Sequence, residues 1–295
     1  SMNWAELTAA KPPEADVIMF PSRYLGELCA RNWLRPVRSN VLQSDELKMS
    51  DVVPIVRRQL IRWGGEVMAL PLGIAAAVLP DLTKRPAIAF LVEAAPGAIL
   101  QNQEGVLFDT QTMKPRITDP AFVDALQRLT KRDNNSQGEL LQREMIPVLG
   151  YEDRLVAVTV TSRNAASAFK LAAWLAQADI STQFASAGSG ALPVRRSLAS
   201  SKSWSGPELT AEHKDRGKVL EVALGGEKCL LIPRIPGVDD YMAALDEAVK
   251  SAAFDKVPAQ QALEMAAQRW EQITDARGRE LQRDAYLKHL GINEP

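Results

Sequence analysis

Phe20-Pro21-Ser22-Arg23-Tyr24 puts two aromatic rings, a hydroxyl and a guanidinium within five consecutive residues. The segment follows an apolar run, Val17-Ile18-Met19, that reads as a buried strand. Aromatic faces stack on C–H surfaces, while Arg, Ser and backbone groups hydrogen-bond hydroxyls, so this set suits a polyol. In open α/β sheets such ligands gather beyond the carboxyl ends of strands. A second strand end of the same kind is Leu70-Pro71-Leu72-Gly73. The plainer reading stands beside it: Phe20 belongs to the core, and Arg23 and Tyr24 merely open a surface helix.

Residues for catalysis or metal binding do not assemble in the same way. Gly188-Ser189-Gly190 lacks the following Lys-Ser/Thr of a phosphate loop. The Gly-x-Ser-x-Gly pattern is absent, and neither His213 nor His289 has an evident Ser or Cys partner. No CxxC or HxxxH spacing supports zinc, and Cys29 and Cys229 read as two free thiols. Asp239, Asp240 and Glu247 read as solvated positions on a helix face. Nothing here argues for catalysis, so no enzyme and no cofactor are expected.

Composition narrows the partners. The chain has 295 residues, 46% hydrophobic and 24% charged, as expected of a globular protein with a real core. Its 35 basic and 36 acidic residues leave a net charge of −1, which disfavours a nucleic-acid surface. No run of about 18 apolar residues is present to span a bilayer.

These residues need elements to carry them. Asp45 to Arg62 alternates charged and apolar residues at helical spacing, with Pro54 near its start and Trp63-Gly64-Gly65 as its stop. Glu66 to Pro71 reads as a strand, and Pro86 to Leu100 as a helix interrupted or ended at Pro96-Gly97. Thr118-Asp119-Pro120 starts a helix that buries Phe122, Val123, Leu126 and Leu129. Lys131 to Glu139 is a polar loop, and Arg154 to Thr161 is a β-branched buried strand. Ser162-Arg163-Asn164 caps a helix whose inner face is Ala165, Ala168, Phe169, Ala172 and Leu175. A glycine-rich turn, Ser186 to Gly190, and a serine-rich loop, Ala199 to Lys214, follow. Helices then run over Tyr241–Ala252, Pro258–Thr274 and on to Leu290. Strands alternating with helices, then helices alone, predict an α/β chain with a helical C-terminal part.

The order of these segments resembles family 1 extracellular solute-binding proteins, the substrate receptors of ABC importers typified by maltose-binding protein. Ala15 to Val37, ending Asn32-Trp33-Leu34-Arg35-Pro36, is similar to the family's strand, ligand corner and helix. Trp63 to Gly73 is similar to its "G-x-x-Y-A-L-P" strand. Val158 to Asn164 resembles "I-x-x-x-S-K-N-x-x-x-A", and Gly190 to Ser197 resembles "G-x-x-P-x-R-x-S". Tyr241 to Ile273 resembles the closing helices with their "W-x-x-I". The match is spread over most of the chain.

The resemblance implies a two-lobed periplasmic-binding-protein-like (type II) fold. Lobe one would comprise 1–75 with 150–190, and lobe two 76–149 with 191–295. Crossings near Leu72–Ala77 and Ala187–Pro193 would act as hinges. By position, Phe20, Ser22, Arg23 and Tyr24 would line one wall of the cleft, Gly73 and Ile74 the crossing, and Arg234 and Tyr241 the opposite wall. Tyr241 packing between helices is an equal alternative. The implied ligand is a small carbohydrate and the implied partner an ABC permease. The protein would be a monomer, periplasmic or otherwise extracytoplasmic, with a lipid anchor as one means of retention. Against the family the chain is shortened. An opening strand–helix–strand before Asn3, part of the crossing after Leu79, and a strand with a cleft aromatic between Gly138 and Arg154 are expected to be missing. A non-transport relative acting as an interaction or scaffolding module is therefore the second expectation.

Overall fold

A computed structural model describes residues 11–75, 82–101, 105–131, 146–186, 194–199 and 228–292. Its sheet is built on β6 (Arg154–Val158), with β1 (Val17–Pro21) and β4 (Leu70–Gly73) on either side. β6 runs antiparallel to both, so β1 and β4 share a direction and finish at the same end. Pro21 and Gly73 both sit opposite Arg154 in register. Everything after β1, after β4 and before β6 is thus brought to one spot.

The strands form where the sequence alternates or concentrates β-branched residues, and Leu155 to Val158 are buried throughout. Helices α5 (Ala165–Leu175) and α6 (Ala178–Ser186) cover this sheet. The Asn164 side chain accepts a hydrogen bond from the Ser167 N–H (3.2 Å) and so caps α5 as expected.

A helical group packs beyond that end of the sheet: α3 (Pro86–Gln101), α4 (Pro120–Thr130), α8 (Val238–Phe254), α9 (Ala259–Arg277) and α10 (Arg279–Leu290). Two short parallel strands, β5 (Val148–Leu149) and β7 (Leu230–Leu231), lie against α3. The nucleus is aromatic. Phe108 stacks on Trp270 with centroids 4.9 Å apart, and Tyr241 and Tyr286 meet Phe108 edge-on, each at 5.5 Å.

Three local expectations change. The helix expected over Asp45–Arg62 is absent. Instead α2 (Ser39–Leu42), a 3-10 turn at Met49–Asp51 and a π-helical turn at Val56–Leu60 follow one another. Lys48 is left-handed (φ 45°), and residues before Pro54 avoid the helical region, which breaks the run. The expected strand from Glu66 divides into a hairpin, β2 (Arg62–Trp63) with β3 (Glu66–Val67), followed by β4. Gly64 and Gly65 both take positive φ (55° and 83°), the requirement of that two-residue turn. Finally, α3 runs through Pro96-Gly97 without ending. The turn at Gly188 to Gly190 and the loop beyond Ala199 lie outside the described residues.

Candidate binding site at the strand-end corner

Pro21 ends β1 with an extended backbone (φ −65°, ψ 138°), and Ser22–Tyr24 turn as a 3-10 helix into α1 (Leu25–Ala30). The corner backbone continues the ladder beyond β6. Ser22 N–H donates to the Asp153 carbonyl (2.7 Å) and Arg23 N–H to the Tyr151 carbonyl (3.3 Å). Residues 150–153, between β5 and β6, therefore face the corner along its length.

Asp153 is the knot. Its carboxylate accepts from Ser22 Oγ (2.9 Å), Gly150 N–H (2.6 Å) and Ala75 N–H (2.9 Å). Those donors come from the three segments that leave or enter the sheet at this end. Burial pushes the Asp153 pKa up, and the bonds from Gly150, Ala75 and Ser22 work in the opposite sense. Gly150 sits at φ +95°, where a Cβ would lie 2.9 Å from the Ile232 carbonyl oxygen.

Above the knot lies a charged and aromatic layer. The Arg23 guanidinium carbon is 4.7 Å from the ring centroids of both Tyr24 and Tyr151. Its Nη1 donates to Glu152 Oε1 (3.1 Å) and to the Tyr151 carbonyl (3.3 Å). Its Nε lies 3.0 Å from Asp239 Oδ1, an ion pair without hydrogen-bond alignment. Tyr24 OH donates to Asp239 Oδ2 (2.7 Å). Asp239 stands in the first turn of α8, where the helix dipole favours an anion. Burial opposes the Arg23 charge, yet Asp239 and the tyrosines outweigh it and raise its pKa. Burial lifts the Tyr151 phenol to about 12.

Beside this layer is a cavity of about 10 Å³ lined by Ala75, Arg85, Ile88, Tyr151 and Glu152 among others. That is room for about one water. Arg85 reaches Glu152 from the α3 side (3.5 Å).

The structure brings Ser22, Arg23 and Tyr24 together at this junction. Gly73 and Ile74 are buried close by, Gly73 opposite Arg154 and Ile74 next to the Ala75 amide held by Asp153. The rest lie in the interior, the plainer of the two expectations for Phe20 and Tyr241. Phe20 is 2% exposed, a core side chain on the inward face of β1. Arg234 is fully enclosed. It donates to the Leu60, Gln59 and Arg62 carbonyls and to His289 Nδ1, so it clamps chain segments together. Burial lowers its pKa to about 10. Tyr241 packs between helices: its hydroxyl bonds Thr274 Oγ1 (2.9 Å), and its carbonyl accepts from Trp270 Nε1 (2.7 Å).

Sequence reasoning missed Tyr151, Glu152, Asp153 and Arg85; Asp239, read as a solvated helix position, is half-exposed and also meets Arg23 and Tyr24. The available signal was Gly150-Tyr151-Glu152-Asp153, a polar turn with an aromatic immediately before a buried strand. Cys29 and Cys229 are free thiols, as expected. Among the described residues no group of His, Cys, Asp or Glu is placed to hold a metal ion.

No family model and no curated protein sequence matches this chain. Solved structures do. The sugar-binding protein MalE from Xanthomonas citri aligns with a TM-score of 0.62 at 15% identity, over 89% of this chain and 84% of that one. A cyclo/maltodextrin-binding protein complexed with maltotetraose gives 0.59 at 14% identity, over 92% and 86%. An ABC transporter solute-binding protein from Agrobacterium vitis with bound D-mannitol gives 0.56 at 13%, over 93% and 88%. The chain has the two-lobed α/β fold of the periplasmic binding proteins. These neighbours are binding proteins of ABC transporters or sugar-binding proteins.

Proposed function

We propose that this protein is an extracytoplasmic solute-binding protein of the family 1 type, which captures a small polar ligand, a carbohydrate, between its two lobes for an ABC importer. Lobe one comprises 1–75 with 150–190, and lobe two 76–149 with 191–295. The observation that carries the reading is the junction itself. The corner Ser22–Tyr24 faces the turn Tyr151–Asp153 and Asp239 of α8, with aromatic rings, a guanidinium and carboxylates within hydrogen-bond range. That is the chemistry that grips a polyol. Solved proteins of the same fold hold maltotetraose and D-mannitol. No helix among the described residues is long and apolar enough to cross a membrane.

A sugar does not fit a cavity of about 10 Å³. Its entry requires the bonds of Arg23 and Tyr24 to Asp239 to part as the lobes open. The hinge expected at Leu72–Ala77 lies partly, and that at Ala187–Pro193 wholly, outside the described residues. A ligand bridging both lobes then favours the closed form by its differential affinity. Titration calorimetry and thermal shift across sugars, oligosaccharides, amino acids and polyamines test this. Saturable stabilisation by a saccharide is expected, and a flat response to the whole panel would sink it.

A second reading has one observation in its favour. The polar groups of the corner are bonded to one another, and the cavity beside them holds about one water. This suits a non-transport relative that keeps the fold as an interaction module. It predicts the flat response.

A further inference from the structure

The Arg23 side chain occupies a cage that the rest of the junction builds. Two tyrosine rings, Tyr24 and Tyr151, each lie 4.7 Å from its guanidinium carbon. Two carboxylates, Glu152 at 3.1 Å and Asp239 at 3.0 Å, balance its charge, and the Tyr151 carbonyl accepts a further bond. Aromatic faces combined with carboxylates select a cation: the ring quadrupole attracts positive charge, and the carboxylates neutralise it. The side chain of Arg23 is 16% exposed, whereas those of Glu152 and Asp239 are 40% and 46% exposed. The cage is therefore open to solvent on its acidic side and plugged from within. Removing the plug leaves Glu152, among the described residues, with the more distant Arg85 at 3.5 Å.

We propose that the junction is a cation cage held shut by Arg23 as an intramolecular ligand, and that the ligand it takes bears a protonated nitrogen group. A guanidino compound and an amino sugar share that chemistry. The inference rests on the junction being the binding site, and it narrows the ligand from any polyol to one carrying a cationic group. Arg23 is tethered and so acts at a high effective concentration. A ligand that displaces it needs further contacts, which the hydroxyls of an amino sugar supply.

The test is chemical rescue. Arg23→Ala is expected to melt several degrees below the wild type and to recover in a saturable manner with millimolar methylguanidinium. Sodium at equal ionic strength restores nothing, and the wild type does not respond to methylguanidinium. Adding Asp239→Asn abolishes the rescue. In the wild type, glucosamine raises the melting temperature more than glucose does, whereas agmatine in place of glucosamine identifies a guanidino ligand. If Arg23→Ala does not fold alone, it is refolded with methylguanidinium present, and recovery of folded protein counts as rescue. Absence of rescue, rescue by sodium, or rescue that survives Asp239→Asn overturns the cage. Because rescue is read without any sugar, a flat sugar panel with intact rescue overturns the receptor reading alone.

Discussion

Asp153 and His289 are buried titratable groups that act on stability in opposite directions. His289 accepts from the Arg234 N–H and Nε (both 3.3 Å), which fixes it neutral with the proton on Nε2, and its ring stacks on Tyr286. Burial, and then the Arg234 charge, hold its pKa well below 6.5. The unfolded chain takes up a proton near 6.5 that the folded chain refuses. Stability present above that pH is lost as pH falls through it, by up to about 1.4 kcal/mol per pH unit. His289→Gln is expected to flatten that slope in urea titrations at a series of pH values, and a slope unchanged in the variant contradicts the assignment. Asp153 has its pKa raised by burial, so its contribution is present on the acid side and is lost as pH rises through the folded value. Asp153→Ala strands the Ser22 hydroxyl and the Gly150 and Ala75 amides. At about 1–3 kcal/mol for each of the three unsatisfied buried groups, a loss of roughly 3–9 kcal/mol is expected on denaturation. A loss below about 1 kcal/mol would show that the knot holds nothing.

At the level of elements, α1 is pressed against the chain near Arg234. A Cβ on Gly26 would fall 1.6 Å from the Arg234 carbonyl oxygen and 2.6 Å from the Trp63 ring. Gly26→Ala is expected to cost about 3 kcal/mol or more, since backbone cannot give way as a side chain does. Gly97→Ala is the contrast. There the new Cβ meets only Ala121 Cβ at 3.5 Å inside α3, and a gain of about 0.5–1 kcal/mol in helix propensity is expected. Equal effects in thermal melts would contradict the packing. The strands and helix starts were legible because their signals are local: Val17 to Phe20, Arg154 to Val158, Asn164 as a cap and Pro120 in a first turn. The break-up of Asp45–Arg62 was not, because apolar spacing does not reveal a left-handed Lys48. The corner itself was legible as a strand end. Its partners were not: Ser22 and Asp153 are 131 positions apart, and Tyr24 and Asp239 are 215 apart. Resemblance alone put Arg234 on the opposite wall, because a polar atom on a sequence carries no sign of its burial; for Tyr241 helix packing already stood as an equal alternative.

For the molecule as a whole, the sheet group and the helical group meet where β1, β4 and β6 share an end. Asp153 fastens the crossing segments there, while Arg23 and Tyr24 reach across to α8. On the proposed reading, a ligand drawn into this junction replaces those contacts with its own. The most direct measurement is titration calorimetry of saccharides, amino sugars included, into the wild type and into Asp239→Ala. The account predicts saturable one-to-one heat in the wild type and its loss in the variant, with the variant still folded. Heat undiminished by Asp239→Ala contradicts a binding site at the junction, and no heat from any saccharide contradicts the carbohydrate-receptor reading.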